Sequence, residues 1–194
     1  RVLSGGKRHH DIVRPFLPVD YEWIDITVPL SKVFDRYRKH TVASASQDHI
    51  IVFASGDPLF FGFANTICRE MPQAQVDIWP SFNSLQLLAH RLLMPYHDMR
   101  IVSLTGRPWQ EVDRALIERT PKVGVLTDTR DHTPMQIACR MLDYGFTSYT
   151  FYVGEHLGSD SQEQVHELSV EEAAQCNFAS PNCLILHSSA LERQ

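Results

Sequence analysis

The stretch VFASGDPLFFGF, Val52–Phe63, sets a bend-making glycine, a carboxylate and a rigid proline between two apolar runs. The residues leading into it, HIIVFAS, form a continuous apolar, β-branched run, the pattern of a strand covered on both faces. Gly56 lets the backbone turn sharply. Pro58 suits the opening of a helix. The residues after it, LFFGFANTICREM, have helical spacing that puts Phe60, Phe63, Ala64 and Ile67 on one face. In a parallel α/β sheet, ligands bind beyond the carboxyl ends of the strands. Asp57 stands at such an end and near a helix N-terminus, where a negative side chain is stabilised. Two readings stay open from spacing alone: Asp57 caps the helix, or it touches a ligand.

Outward from this turn, strand and helix signals alternate. Val2 and Leu3 end a strand before Gly5-Gly6, and KRHHDIVRPFL reads as a short helix stopped before Pro15. YEWIDIT suits a strand, and Pro29 opens the helix LSKVFDRYRKH. Downstream, AQVDIWP is expected as another strand. NSLQLLAHRLLM is an amphipathic helix capped by Asn83 or Ser84, with Leu85, Leu88 and Leu92 toward a core. This alternation predicts an α/β fold with a mostly parallel first sheet. The polar, Pro-containing MPYHD, residues 94–98, is a break, so the expected domains are 1–95 and 96–194. In the second domain RIVSL, KVGVLTD, SYTFYVGE and NCLILHS read as strands. PWQEVDRALIERT, TPMQIACRMLDYGF and VEEAAQC read as helices, the second capped by Thr133 and stopped at Gly145. Few helices separate the last strands, which predicts a mixed sheet.

Composition narrows the function classes. The chain has 194 residues, 43% hydrophobic and 21% charged, with net charge -5 and no basic tract, which argues against nucleic acid as a partner. No apolar run approaches the roughly 18 residues of a membrane span. The four cysteines, Cys68, Cys139, Cys176 and Cys183, form no Cys-x-x-Cys pair and read as reduced, mostly buried thiols of a cytoplasmic protein. A Cys176–Cys183 disulfide is the alternative. The opening Arg1-Val2-Leu3 and the polar SSALERQ end read as a piece cut from a longer protein.

Two further strand ends repeat the design around Asp57: WPSFNS, residues 79–84, and VLTDTRDHT, residues 125–133. Three polar strand ends bracketing one cleft point to a bound small molecule. A complete Gly-x-Gly-x-x-Gly is missing, and GVLTDTR lacks the lysine of a phosphate loop. His9 and His10 would diverge by about 100° on a helix and chelate poorly, so no metal site is expected. His132 reads either as a helix-start residue or as an acid/base. No catalytic triad is visible, and no catalytic residue is assigned.

SGGKRHHD, ASGDPLFFG, PSFNSLQLLAHRL, VSLTGR, GVLTDTRDHTP, VGEHLGS and NCLIL occur in this order. Together they resemble the tetrapyrrole (corrin/porphyrin) methylases, most closely the carbon-5 methyltransferase module of the precorrin-6Y C5,15-methyltransferases. The resemblance implies two α/β domains with the active site in the cleft between them, S-adenosyl-L-methionine as methyl donor, and a precorrin of cobalamin biosynthesis as acceptor. It implies donor contacts from Gly56, Asp57, Phe60, Asn83, Ser84, Leu126 and Thr127. Lys7, Arg8, His9 and Arg107 match segments that would face the tetrapyrrole. Arg130 is a further candidate, because guanidinium pairs carboxylates bidentately, or a solvated loop charge. The resemblance also implies a homodimer, and in close relatives fusion to a carbon-15 methyltransferase/decarboxylase. Residue 1 falls about thirty residues into the usual pattern, leaving the family's first strand and Gly-rich loop outside this sequence. The alternatives are a non-catalytic or truncated tetrapyrrole-binding module, another methylase of the fold with a different tetrapyrrole, and an unrelated α/β enzyme such as a sugar-nucleotide transferase.

Overall fold

The computed structural model describes residues 1–43 and 49–192 and divides into two compact units, Arg1–Ser81 and Phe82–Gln194. The first unit carries strands β1 (Val2–Gly5), β2 (Glu22–Asp25) and β3 (Ile50–Val52) in the order β2-β1-β3, all parallel. Its helices are α1 (Lys7–Val13), α2 (Leu30–Ala43) and α3 (Phe63–Glu70). Alternation along β1 assigns the two faces. Val2 joins Ile24, Val33, Phe34 and Tyr37 in a core to which Phe63 and Ile67 are added, so α2 and α3 cover that face. Ser4, buried on the same face, donates to the Ile24 carbonyl at 2.7 Å and meets the Tyr37 hydroxyl at 2.6 Å. Gly5 points the other way, toward Trp23 and His9 of α1.

The second unit is a five-stranded mixed sheet of β4 (Arg100–Ser103), β5 (Lys122–Leu126), β6 (Thr150–Glu155), β7 (Gln164–Ser169) and β8 (Asn182–His187). Their order is β4-β5-β8-β6-β7, with β4 and β5 parallel and the remaining pairings antiparallel. The helices are α4 (Ser84–Arg91), α5 (Gln110–Ile117), α6 (Pro134–Asp143), α7 (Val170–Ala173) and α8 (Ser189–Glu192). Val123, Val125, Leu184, Leu186, Phe151 and Val153 pack against Val112, Leu116, Ile137, Met141 and Val170 on one face. On the other face Gly124 lies under Leu85 and Met99: a Cβ there would come within 3.0 Å of both side chains. Leu85 and Leu88 of α4 are fully buried, worth about 2 kcal/mol each.

That packing moves the expected boundary. α4 belongs with the second sheet, so the division falls between Ser81 and Phe82 rather than near residue 95. AQVDIWP forms no strand. Val76 and Ile78 are half-buried while Asp77 and Trp79 are exposed, so the alternation is present, but no described strand pairs with it. β3 stands at a sheet edge among the described residues, and Ile51 is 52% exposed; it is not covered on both faces as its composition predicts. All four cysteines are free thiols, which removes the Cys176–Cys183 alternative. Only Cys183 is buried, while Cys68 and Cys139 are exposed. Among the described residues no helix is long and apolar enough to cross a membrane.

Candidate functional site

In the first unit the turn after β3 is built as a self-bonded loop. Gly56 adopts φ +59°, a left-handed conformation that favours glycine. The Asp57 carboxylate accepts from the Leu59 N–H at 2.9 Å, and the Asp57 carbonyl accepts from Phe60 N–H at 3.1 Å. Asp57 therefore closes the turn, and α3 begins later, after Gly62. Pro58 does not open the helix; its carbonyl instead accepts from the Ala64 N–H at 3.1 Å. A Cβ on Gly62 would lie 2.4 Å from that carbonyl oxygen, so the turn requires glycine there. Phe60 precedes the helix and does not share its face; its ring meets Phe61 edge-on at 5.2 Å. Phe61 holds φ +53° and is 42% exposed, an uncommon conformation for a bulky residue that sequence reading does not reveal.

α1 adds a second edge to this turn. Lys7 and Arg8 are exposed, while His9 Nε2 is 2.9 Å from the Ser55 hydroxyl, next to Gly56. Burial, with the Arg8 charge adding to it, holds His9 below the usual histidine range. Its Nδ1 is buried without a hydrogen-bond partner among the described residues. His10 turns elsewhere, stacking on Trp23 at 4.2 Å and meeting the Tyr21 hydroxyl. Among the described residues no group of three or more His, Cys, Asp or Glu side chains is placed to hold a metal ion.

In the second unit the sequence-predicted residues converge at the carboxyl end of β5. Asn83 is the N-cap of α4, with a reciprocal capping box: its side chain accepts from Gln86 N–H at 2.9 Å and its own N–H donates to Gln86 at 3.0 Å. Ser84 shares a hydrogen bond with the Cys183 thiol, and burial pushes that thiol up to about 12. Cys183 is the register partner of Leu126. The next residue, Thr127, donates its hydroxyl to Asn182, 2.8 Å from the carbonyl and 2.6 Å from Oδ1. Asn83, Ser84, Leu126 and Thr127 are thus neighbours through β8. Asn182 and Cys183, which join them, were not assigned to the site by sequence reading, although NCLIL is among the segments that carry the resemblance.

The loop beyond Thr127 is clasped from within. One Asp128 oxygen accepts from the N–H groups of Arg130, Asp131 and His132 at 2.9 Å each, and the other lies 2.6 Å from His132 Nδ1. Burial alone would raise this carboxyl, but the His132 and backbone hydrogen bonds hold it down at about 2. The His132 ring packs on Trp109 at 4.6 Å, under which Arg140 is anchored by a bidentate pair to Asp113. His132 is thus a clasp residue at the start of α6. Arg107 lies on the turn after β4, beside Gly106 at φ +63°, and Arg130 is exposed on the clasped loop.

Residues 1–174 match the family model for Tetrapyrrole (Corrin/Porphyrin) Methylases. The chain is similar to a precorrin-6Y C(5,15)-methyltransferase [decarboxylating] of Sinorhizobium sp, 28% identical over 170 residues, covering 87% of this chain and 38% of that protein. It is equally similar to a cobalt-precorrin-7 C(5)-methyltransferase of Salmonella typhimurium, 28% identical over 168 residues, covering 87% of this chain and 77% of that protein. The chain therefore spans well under half of the first relative and about three quarters of the second. Its fold matches a uroporphyrin-III C-methyl transferase from Thermus thermophilus complexed with S-adenyl homocysteine, with TM-score 0.70, 21% identity and coverage of 99% of this chain and 86% of that one. This chain belongs to the tetrapyrrole (corrin/porphyrin) methylases.

Proposed function

We propose that this protein is an S-adenosyl-L-methionine-dependent C-methyltransferase of cobalamin biosynthesis that methylates carbon 5 of a precorrin of the precorrin-6Y/precorrin-7 type. The observation that carries the reading is that two relatives, each aligned over 87% of this chain, are both named for methylation at carbon 5. The candidate residues suit the donor chemically. Gly56, Asp57, Phe60, Asn83, Ser84, Leu126 and Thr127 include one carboxylate and no cation, a set that does not repel a sulfonium. When bound, S-adenosylmethionine supplies an electrophilic methyl group. The residues of this chain bind, orient and exclude water, the contributions an alkyl transfer to an electron-rich carbon needs from its protein. Lys7, Arg8 and Arg107 are assigned to the carboxylates of the macrocycle, and His9 supports the turn at Gly56 through its contact with the Ser55 hydroxyl at 2.9 Å.

The test is transfer of label from methyl-labelled S-adenosylmethionine to a precorrin substrate by the purified chain. Label in the tetrapyrrole fraction supports the reading. A chain that binds tetrapyrrole and transfers nothing is a binding module instead, and one that binds the donor with no tetrapyrrole affinity acts on another substrate. Arg107→Ala is expected to raise the tetrapyrrole Kd, and an unchanged titration removes Arg107 from the substrate site.

A further inference from the structure

The amino end of β8 is wired to the loops just assigned to the methyl donor. The single Thr127 hydroxyl proton is directed at Asn182, with the carbonyl at 2.8 Å and Oδ1 at 2.6 Å. Its carbonyl accepts from the Thr105 hydroxyl at 3.1 Å. Both side-chain ends of Asn182 are engaged, because its amide nitrogen donates to the Ala179 carbonyl at 2.8 Å. Ala179 N–H in turn donates to Glu155, which is only 6% exposed and is the register partner of Asn182. The other Glu155 oxygen is 3.3 Å from His166 Nε2. A buried carboxylate thus anchors the strand end that anchors Thr127.

We propose that Asn182 is a positioning residue of the donor site: it acts through the Thr127 hydroxyl to hold the turn leaving β5 in its ligand-ready conformation. This rests on the donor reading above. A turn whose side chain is already committed inside the protein does not have to be ordered when the ligand arrives, and preorganisation of that kind appears as affinity. The same bonding defines what Thr127 offers a ligand. Its hydroxyl proton serves Asn182, so Thr127 presents its backbone and methyl group rather than a hydroxyl donor.

The experiment is calorimetric titration of the full chain with S-adenosylhomocysteine, with thermal unfolding measured in parallel. Asn182→Ala and Thr127→Val are each expected to raise Kd about tenfold. The double variant is expected to be no weaker than either single one beyond about twofold, because both changes cut the same link. Thr127→Ser recovers most of the affinity lost in Thr127→Val, since it restores the hydroxyl. If Asn182→Ala does not fold, the Val and Ser variants at Thr127 decide the matter alone: weak Val with recovered Ser supports the proposal, and equal affinities overturn it. Wild-type affinity in Asn182→Ala, or losses that multiply in the double variant, overturn it while leaving the donor reading intact. A wild-type chain that does not bind S-adenosylhomocysteine overturns the donor reading, and the role of Asn182 with it.

Discussion

Replacing Asp128 by asparagine tests how much one carboxylate does to shape the loop that follows the candidate donor strand. The substitution keeps the side-chain shape and one acceptor oxygen but removes the charge that three backbone N–H groups and His132 converge on. The carboxyl sits at about 2 where an ordinary aspartate sits at 3.8. At about 1.4 kcal/mol per pH unit, the folded protein favours the charged form by about 2–3 kcal/mol. The side chain is 18% exposed, so solvent screening takes little from that figure. Because the folded value is depressed, the contribution is fully present above pH 3.8 and is lost as pH falls through about 2. Urea unfolding followed by tryptophan fluorescence is the assay, since Trp109 packs against His132. At pH 7, Asp128→Asn is expected to be about 2–3 kcal/mol less stable than wild type, and the gap is expected to narrow below about pH 4. A gap under about 0.5 kcal/mol at pH 7, or one that stays constant down to pH 2.5, would refute the clasp.

Two other substitutions probe the turns themselves. Gly62→Ala puts a Cβ 2.4 Å from the Pro58 carbonyl oxygen, so the Asp57–Phe60 turn has to open at a cost of about 1–3 kcal/mol; an unchanged denaturation midpoint would remove the steric argument. Asn83→Ala deletes the side-chain half of the α4 capping box, the acceptor of the Gln86 N–H, and is expected to cost about 1 kcal/mol, seen as a lower Tm, while Asn83→Ser keeps most of the stability. Equal Tm values for Asn83→Ala and wild type would show that the box is incidental.

Periodicity carried much of the fold. The helices at Lys7, Leu30, Ser84, Gln110 and Pro134 stand where apolar spacing and caps put them, and Thr133 and Asn83 cap theirs through a signal readable as Thr-x-x-Gln and Asn-x-x-Gln. What failed was whatever depends on a distant neighbour. A strand needs a partner, and AQVDIWP has the alternation without one. A domain boundary needs to know which sheet a helix covers, and α4 covers the second through Leu85 and Leu88. Of the two readings open for Asp57, the cap of the next helix does not hold, because α3 starts only after Gly62 and the left-handed Phe61 lies between them. Of the three expected strand ends, those before Gly56 and at Leu126 follow strands, whereas Asn83 and Ser84 follow AQVDIWP, which forms none. The support of these loops was not legible, because Asn182 and Cys183 lie some fifty-five residues or more from the Thr127 and Ser84 they hold.

The central claim is methyl transfer to carbon 5 of a precorrin. The direct measurement is carbon-13 NMR of the tetrapyrrole recovered after incubation with the chain and S-adenosylmethionine carrying a labelled methyl. The expected result is one enriched methyl signal, with coupling that assigns it to carbon 5. An enriched methyl on a different macrocycle carbon, or none when donor and tetrapyrrole both bind, would contradict the claim.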